Sequence, residues 1–161
     1  MNKVRNTVIF IVAAVIIICS FLIIKSATKK PQSALDFTFT TESGEQYSLK
    51  DACKNGGVLV FFDPDVEGSN KVLERIIKNA GDTPVIAVST SKKTVAEQKE
   101  LLPKAYKKLK YVSFDSAEIL KLYNIGNAPV TYFINNEFLV TNAFVGNIKQ
   151  KTILKCLTFS S

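Results

Sequence analysis

The chain has 161 residues, enough for one domain and not comfortably for two, and a formal charge of +7 from 21 Lys and Arg against 14 Asp and Glu. Five of those basic residues (Lys3, Arg5, Lys25, Lys29, Lys30) and no acidic one fall within residues 1–30. That leaves 16 against 14 over residues 31–161, which argues against a nucleic-acid partner. The absence of His removes Ser-His-Asp and Cys-His nucleophilic sites and every His-ligated metal site, and Cys19, Cys53 and Cys156 are too far apart for a zinc ribbon or a C-x-x-C redox pair.

From Thr7 to Ile24 the chain runs 18 residues without a charge, and 13 of them are Val, Ile, Leu or Phe. As a helix this stretch spans about 27 Å, close to the hydrocarbon thickness of a bilayer. Its branched and aromatic residues favour insertion by about 4–8 kcal/mol. Cleavage after Ala27 would put Lys25 at the −3 position, where a small residue is needed. Lipidation at Cys19 is disfavoured by Ile18 before it and the continuing Phe-Leu-Ile-Ile after it. The expectation is an uncleaved single-pass anchor: residues 1–6 a cytoplasmic tail, 7–24 the transmembrane helix, 25–34 a linker and 35–161 the domain. Positive charge is nearly balanced across the span. A short N-terminal tail ahead of a signal-like run nonetheless implies an inner (cytoplasmic) membrane location, with the domain on the periplasmic or extracytoplasmic side.

The domain reads as strands alternating with helices. Phe37–Thr40 and Gln46–Ser48 flank a turn at residues 42–45, and 48–54 is a short helical stretch ended by Asn55-Gly56-Gly57. Val58–Phe62 is a continuous run of β-formers, as suits a strand covered on both faces. A helix over Ser69–Ala80 follows, with Val72, Ile76, Ile77 and Ala80 on one face, and then a buried strand within Pro84–Thr90. Thr94 and Glu97 form a capping box that opens a helix toward Leu102. Tyr111–Phe114 reads as a strand, and Ala117–Tyr123 as a helix capped by Asp115 or Ser116. Val130–Ile134 and Phe138–Val145 form a hairpin, and Asn147 with Gln150 suggests a second capping box before a helix to Leu157. This succession implies a small α/β domain with parallel pairing, helices on both faces and an antiparallel edge from the closing hairpin.

A buried strand running into a polar loop and helix, in this order of elements, resembles the thioredoxin fold. Ile125-Gly-Asn-Ala-Pro129-Val-Thr-Tyr-Phe-Ile134 is similar to that family's cis-proline segment. The resemblance implies that Pro129 is cis and that Ala128 offers its backbone to a substrate peptide. Residues 58–71, with Phe61-Phe-Asp-Pro-Asp65-Val-Glu-Gly-Ser69, are similar to the strand-loop-helix of membrane-associated TlpA-like redoxins, where F-F-D-P-D-C-E-H-C is a frequent form. On that register Val66 and Ser69 occupy the two cysteine positions; a one-residue shift puts Glu67 and Asn70 there. Neither register supplies a thiol. Thioredoxin-type exchange needs a thiolate of depressed pKa at a helix N-terminus and a second thiol to resolve the mixed disulfide.

The expected function is therefore a redox-inactive, membrane-tethered thioredoxin-like module without a cofactor. Its protein or peptide partner would meet the loop Asp65, Val66, Glu67, Gly68 and Ser69 and the turn Ala128-Pro129. Two other readings rest on particular residues. Cys53 and Cys156 could form a disulfide outside the cytoplasm and make this a thiol-disulfide oxidoreductase-related protein, against the plainer reading of two unpaired, buried apolar cysteines. Asp63, Asp65 and Glu67, with Gly68 and then Glu74, nearly satisfy a calcium-loop pattern, although the preceding element reads as a strand and Lys71 takes a ligand position. Lys104-Ala-Tyr-Lys-Lys-Leu-Lys110 reads as a solvated helix end able to lie against an anionic lipid surface.

Overall fold

Gly57–Phe62 (β4) is buried at every position, and that follows from its place in the sheet: it pairs in parallel with Val85–Ser89 (β5) on one side and antiparallel with Val130–Ile134 (β7) on the other. The computed structural model describes residues 32–41, 43–101, 104–114 and 116–158. Around β4 the six-stranded sheet is completed by Tyr111–Ser113 (β6) beyond β5. On the other side, Leu139–Val145 (β8) and the two-residue Gln32–Ser33 (β1) lie beyond β7, giving the order β1-β8-β7-β4-β5-β6. Thr38–Thr40 (β2) and Gln46–Ser48 (β3) form a separate antiparallel hairpin. The helices are Leu49–Ala52 (α1), Glu67–Asn79 (α2), Val95–Leu101 (α3), Ala117–Leu122 (α4) and Gln150–Leu157 (α5), with a 3-10 turn at Lys104–Lys108.

Alternation along the strands divides the core in two, because successive side chains point to opposite faces of a sheet. Val58, Val60, Phe62, Val85 and Ala87 face α2 and α5, meeting Val72, Leu73, Ile76 and Ile153. Leu59, Phe61, Ile86 and Val88 face the other way, onto Leu49 and Ala52 of α1, Ile119 of α4 and Phe39 of β2. The sheet therefore carries helices on both faces, as the alternating pattern implies.

Four expectations change. The hairpin β7–β8 does more than add an edge, since β7 lies inside the sheet against β4. Helix α2 begins two residues early, at Glu67, with Val66 in extended backbone ahead of it. Ser116 precedes α4 but makes no side-chain cap; its hydroxyl donates to the Ser89 carbonyl instead. The second capping box does not form: Asn147 Oδ1 accepts from Arg75 Nη1 at 2.8 Å, and Lys149 occupies the cap position of α5.

The second compact unit begins at Ser33, two residues before the expected boundary, and the buried Ala34 donates its N–H to the Phe138 carbonyl at 2.9 Å. The apolar run 7–24, with its tail and most of its linker, lies outside the described residues. Among the described residues no helix is long and apolar enough to cross a membrane.

Candidate functional site

The loop 63–66 leaves β4 at its C-terminal end, and the turn at residues 128–129 enters β7 at the same end of the sheet. Phe61 pairs with Val130, so the two segments issue from neighbouring strands about 4.8 Å apart. The Ala128–Pro129 peptide is cis, as the resemblance implies. Pro129 lacks an N–H, and its carbonyl accepts from Gly146 N at 2.8 Å. Gly146 follows β8 at φ 84°, a backbone that glycine adopts without strain.

The loop is folded on itself. Asp63 Oδ1 accepts the Asp65 N–H at 2.9 Å, an Asx turn, and the Val66 N–H reaches the Asp63 carbonyl at 3.1 Å. Ser69 is fully buried, and its Oγ accepts the Asp63 N–H at 2.8 Å, tying the end of β4 to the first turn of α2. Asn70 Nδ2 donates to the Pro64 carbonyl at 2.8 Å. Val66, by contrast, is 45% exposed at the mouth of the helix. On the first register the two cysteine positions thus hold one exposed apolar side chain and one buried hydroxyl; on the shifted one they hold the exposed Glu67 and the half-buried Asn70.

A second element holds this loop, and sequence reading misses it. Lys93, between β5 and α3, forms an ion pair with Asp65 Oδ1, and Ser91 Oγ donates to Asp65 Oδ2 at 3.2 Å. The Asp65 carboxylate raises the Lys93 pKa from its ordinary value. The Lys93 segment is fixed from beneath by the buried Gln98, which donates to the Lys93 carbonyl at 2.6 Å and accepts from Ser89 Oγ. The only trace in the sequence is the polar run Ser89-Thr-Ser91 after an apolar strand. Glu67 pairs with Lys71 one turn along α2 at 2.6 Å, which lowers its pKa; both side chains are largely exposed, so the pair adds little stability.

The residues of the calcium pattern are not brought together. Asp65 is turned to Lys93 and Glu67 to Lys71, while Glu74 lies about 10 Å farther along the axis of α2. Among the described residues no group of three or more His, Cys, Asp or Glu is gathered as a cation would require. The two cysteines are not brought together either. Cys53 packs with Leu59 and Phe61 on one face of the sheet, and Cys156 with Val58 and Val60 on the other. Burial, with Asp36 adding to it, pushes the Cys53 thiol up to about 12; burial also raises Cys156, against a lowering by Lys155. Neither is the low-pKa thiolate that exchange requires.

No family model and no curated protein matches the chain. Solved structures do. A thiol:disulfide interchange protein of the thioredoxin family from Chlorobium tepidum superposes with a TM-score of 0.68 at 14% identity, over 83% of this chain and 99% of that one. StoA from Bacillus subtilis gives 0.61 at 18% identity, over 78% and 98%. The exposed lipoprotein thioredoxin Etrx1 from Streptococcus pneumoniae gives 0.59 at 21%, over 78% and 99%. The described domain has the thioredoxin-like redoxin fold.

Proposed function

We propose that the protein is a membrane-anchored, extracytoplasmic thioredoxin-like module that has lost the redox-active cysteine pair and binds an extended segment of a partner protein. The groove lies between the loop 65–69 and the turn Ala128-Pro129. The observation that carries this reading is the pairing of an exposed Val66 with a buried Ser69 beside a cis proline. The frame of a redoxin site is present, with an apolar contact where a nucleophile would stand. The exposed-then-buried order favours the register that places Val66 and Ser69 at the cysteine positions over the one that places Glu67 and Asn70 there. Support for the anchor comes from the 18-residue apolar run 7–24. The tail 1–6 stays inside, and the domain faces the extracytoplasmic side.

A disulfide-reductase assay on the full chain in detergent, beside the Val66→Cys/Ser69→Cys variant, tests this. Turnover in the variant alone supports the register and the absence of thiol chemistry in the parent. Turnover in the parent would overturn the reading and return the function to its native cysteines.

A further inference from the structure

The two ends of the sheet differ in charge. Strands β4, β5 and β6 run parallel and begin at Gly57, Val85 and Tyr111, while the candidate groove lies at the opposite end. At the starting end, Lys78 from the last turn of α2 lines an open groove of about 510 Å³ together with Lys108 and Lys110, and its one acidic side chain is Asp82. Lys107 lies beside Lys110 in an adjoining concavity. All four lysines are exposed, and Lys110 sits over the rings of Tyr47 and Tyr111 at 5.3 and 5.0 Å. The ion pairs Lys71–Glu67 and Lys93–Asp65 belong to the other end. Among the described residues none of the four lysines is held in an ion pair, and the Glu45 carboxylate accepts from the hydroxyl of Tyr47 beneath Lys110.

The chain enters the domain at this same end. Ala34 bonds to Phe138 in the turn after β7, and Ile134 at the end of β7 pairs with Gly57 at the start of β4. Because β1 and β6 are opposite edges of the sheet, entry point and lysines stand about 24 Å apart across one end of the domain. Residues 25–31, between the proposed anchor and β1, amount to at most about 25 Å of chain.

We infer that Lys78, Lys107, Lys108 and Lys110 dock this end of the domain on the anionic phospholipid headgroups of the membrane that holds the anchor. The chain joins the domain at one corner of that end and the basic surface lies at the other, so docking through this end would turn the candidate groove away from the bilayer, toward soluble partners. A short tether keeps the local headgroup concentration high, so a modest attraction per lysine suffices. The inference rests on the anchor of the proposed function.

The test uses the full chain in vesicles of phosphatidylcholine alone or with added phosphatidylglycerol. An alkaline wash reads the anchor, and amide hydrogen exchange over residues 106–112 reads the docking. The expected result is a retained chain whose exchange is slower on the anionic vesicles, with the difference removed by high salt. In the Lys107→Gln/Lys108→Gln variant the docked-to-undocked ratio drops about 30-fold, the equivalent of about 1 kcal/mol per basic residue near such a surface. A retained chain with equal exchange in both lipids, or a variant protected like the parent, would overturn the docking and leave the anchor standing. A chain released by the wash would overturn the anchor and the inference with it. Slowing by soluble polyglutamate and not by phosphatidylglycerol would assign the surface to an acidic protein and overturn the lipid.

Discussion

Cys53 shows how closely one residue can be fixed by its neighbours. Its side chain is 1% exposed, and a Cβ added at Gly57 would lie 2.6 Å from its Sγ and 3.3 Å from the Pro84 carbonyl oxygen. Gly57→Ala is therefore expected to destabilise the domain by about 1–3 kcal/mol through overpacking. In a Cys53→Ala background the same change costs less, and a double-mutant cycle from urea titrations measures the difference. The thiol also links stability to pH. Its folded pKa, about 12, lies above that of a free thiol at about 8.5, so the folded state holds the proton more tightly. The stability this gives is complete below about pH 8.5 and is lost as pH rises toward 12. Urea midpoints taken across that range check it, and Cys53→Ala flattens the slope.

At the scale of the element, helix α3 has its cap and helix α5 does not, although both capping boxes are written in the sequence. Thr94 and Glu97 meet as the motif requires: the Thr94 N–H donates to Glu97 Oε2 at 2.9 Å, and the Thr94 hydroxyl to the same oxygen at 2.6 Å. Thr94→Ala is expected to cost about 1 kcal/mol in thermal or urea unfolding. These bonds lower the Glu97 pKa. The cap's contribution is present above the unfolded carboxylate value and is lost as pH falls through the folded one. Hydrogen-exchange protection factors at α3 amides, referred to the intrinsic rate at each pH, should fall in acid before those of α2. At the other box, Arg75 reaches across from α2 and takes Asn147, as Ser89 takes the hydroxyl of Ser116. A local motif is legible when its side chains have no distant competitor, and nothing in the nearby residues announces one.

For the whole molecule, the succession of central strands and helices was legible because β4 and β5 are short apolar runs and α2 has a periodic face. The polar β1 (Gln32–Ser33), by contrast, falls in what reads as linker. The order of strands in the sheet was not legible, since hydrophobic periodicity names no partner; that β7 lies against β4 is a matter of topology. The candidate loop and the proline were legible through resemblance, whereas Lys93 was not, because an ion pair between positions 65 and 93 leaves no pattern. The same two-faced sheet separates the domain's cysteines, so oxidation of the folded protein should give no Cys53–Cys156 disulfide. Peptide mapping after treatment with an oxidant checks this, and a linked pair would mean that the core opens.

The flanking of β4 by β5 and β7 has a consequence for synthesis. A ribosome delivers β4, β5 and β6 before the residue that opens β7, so the growing chain carries its most apolar strand with one side bare until Val130–Ile134 follows. An uncovered edge of this kind invites pairing with other chains. Whatever chaperones attend the nascent chain must therefore hold it unfolded, or guard that edge, until about the last fifth of the message is read.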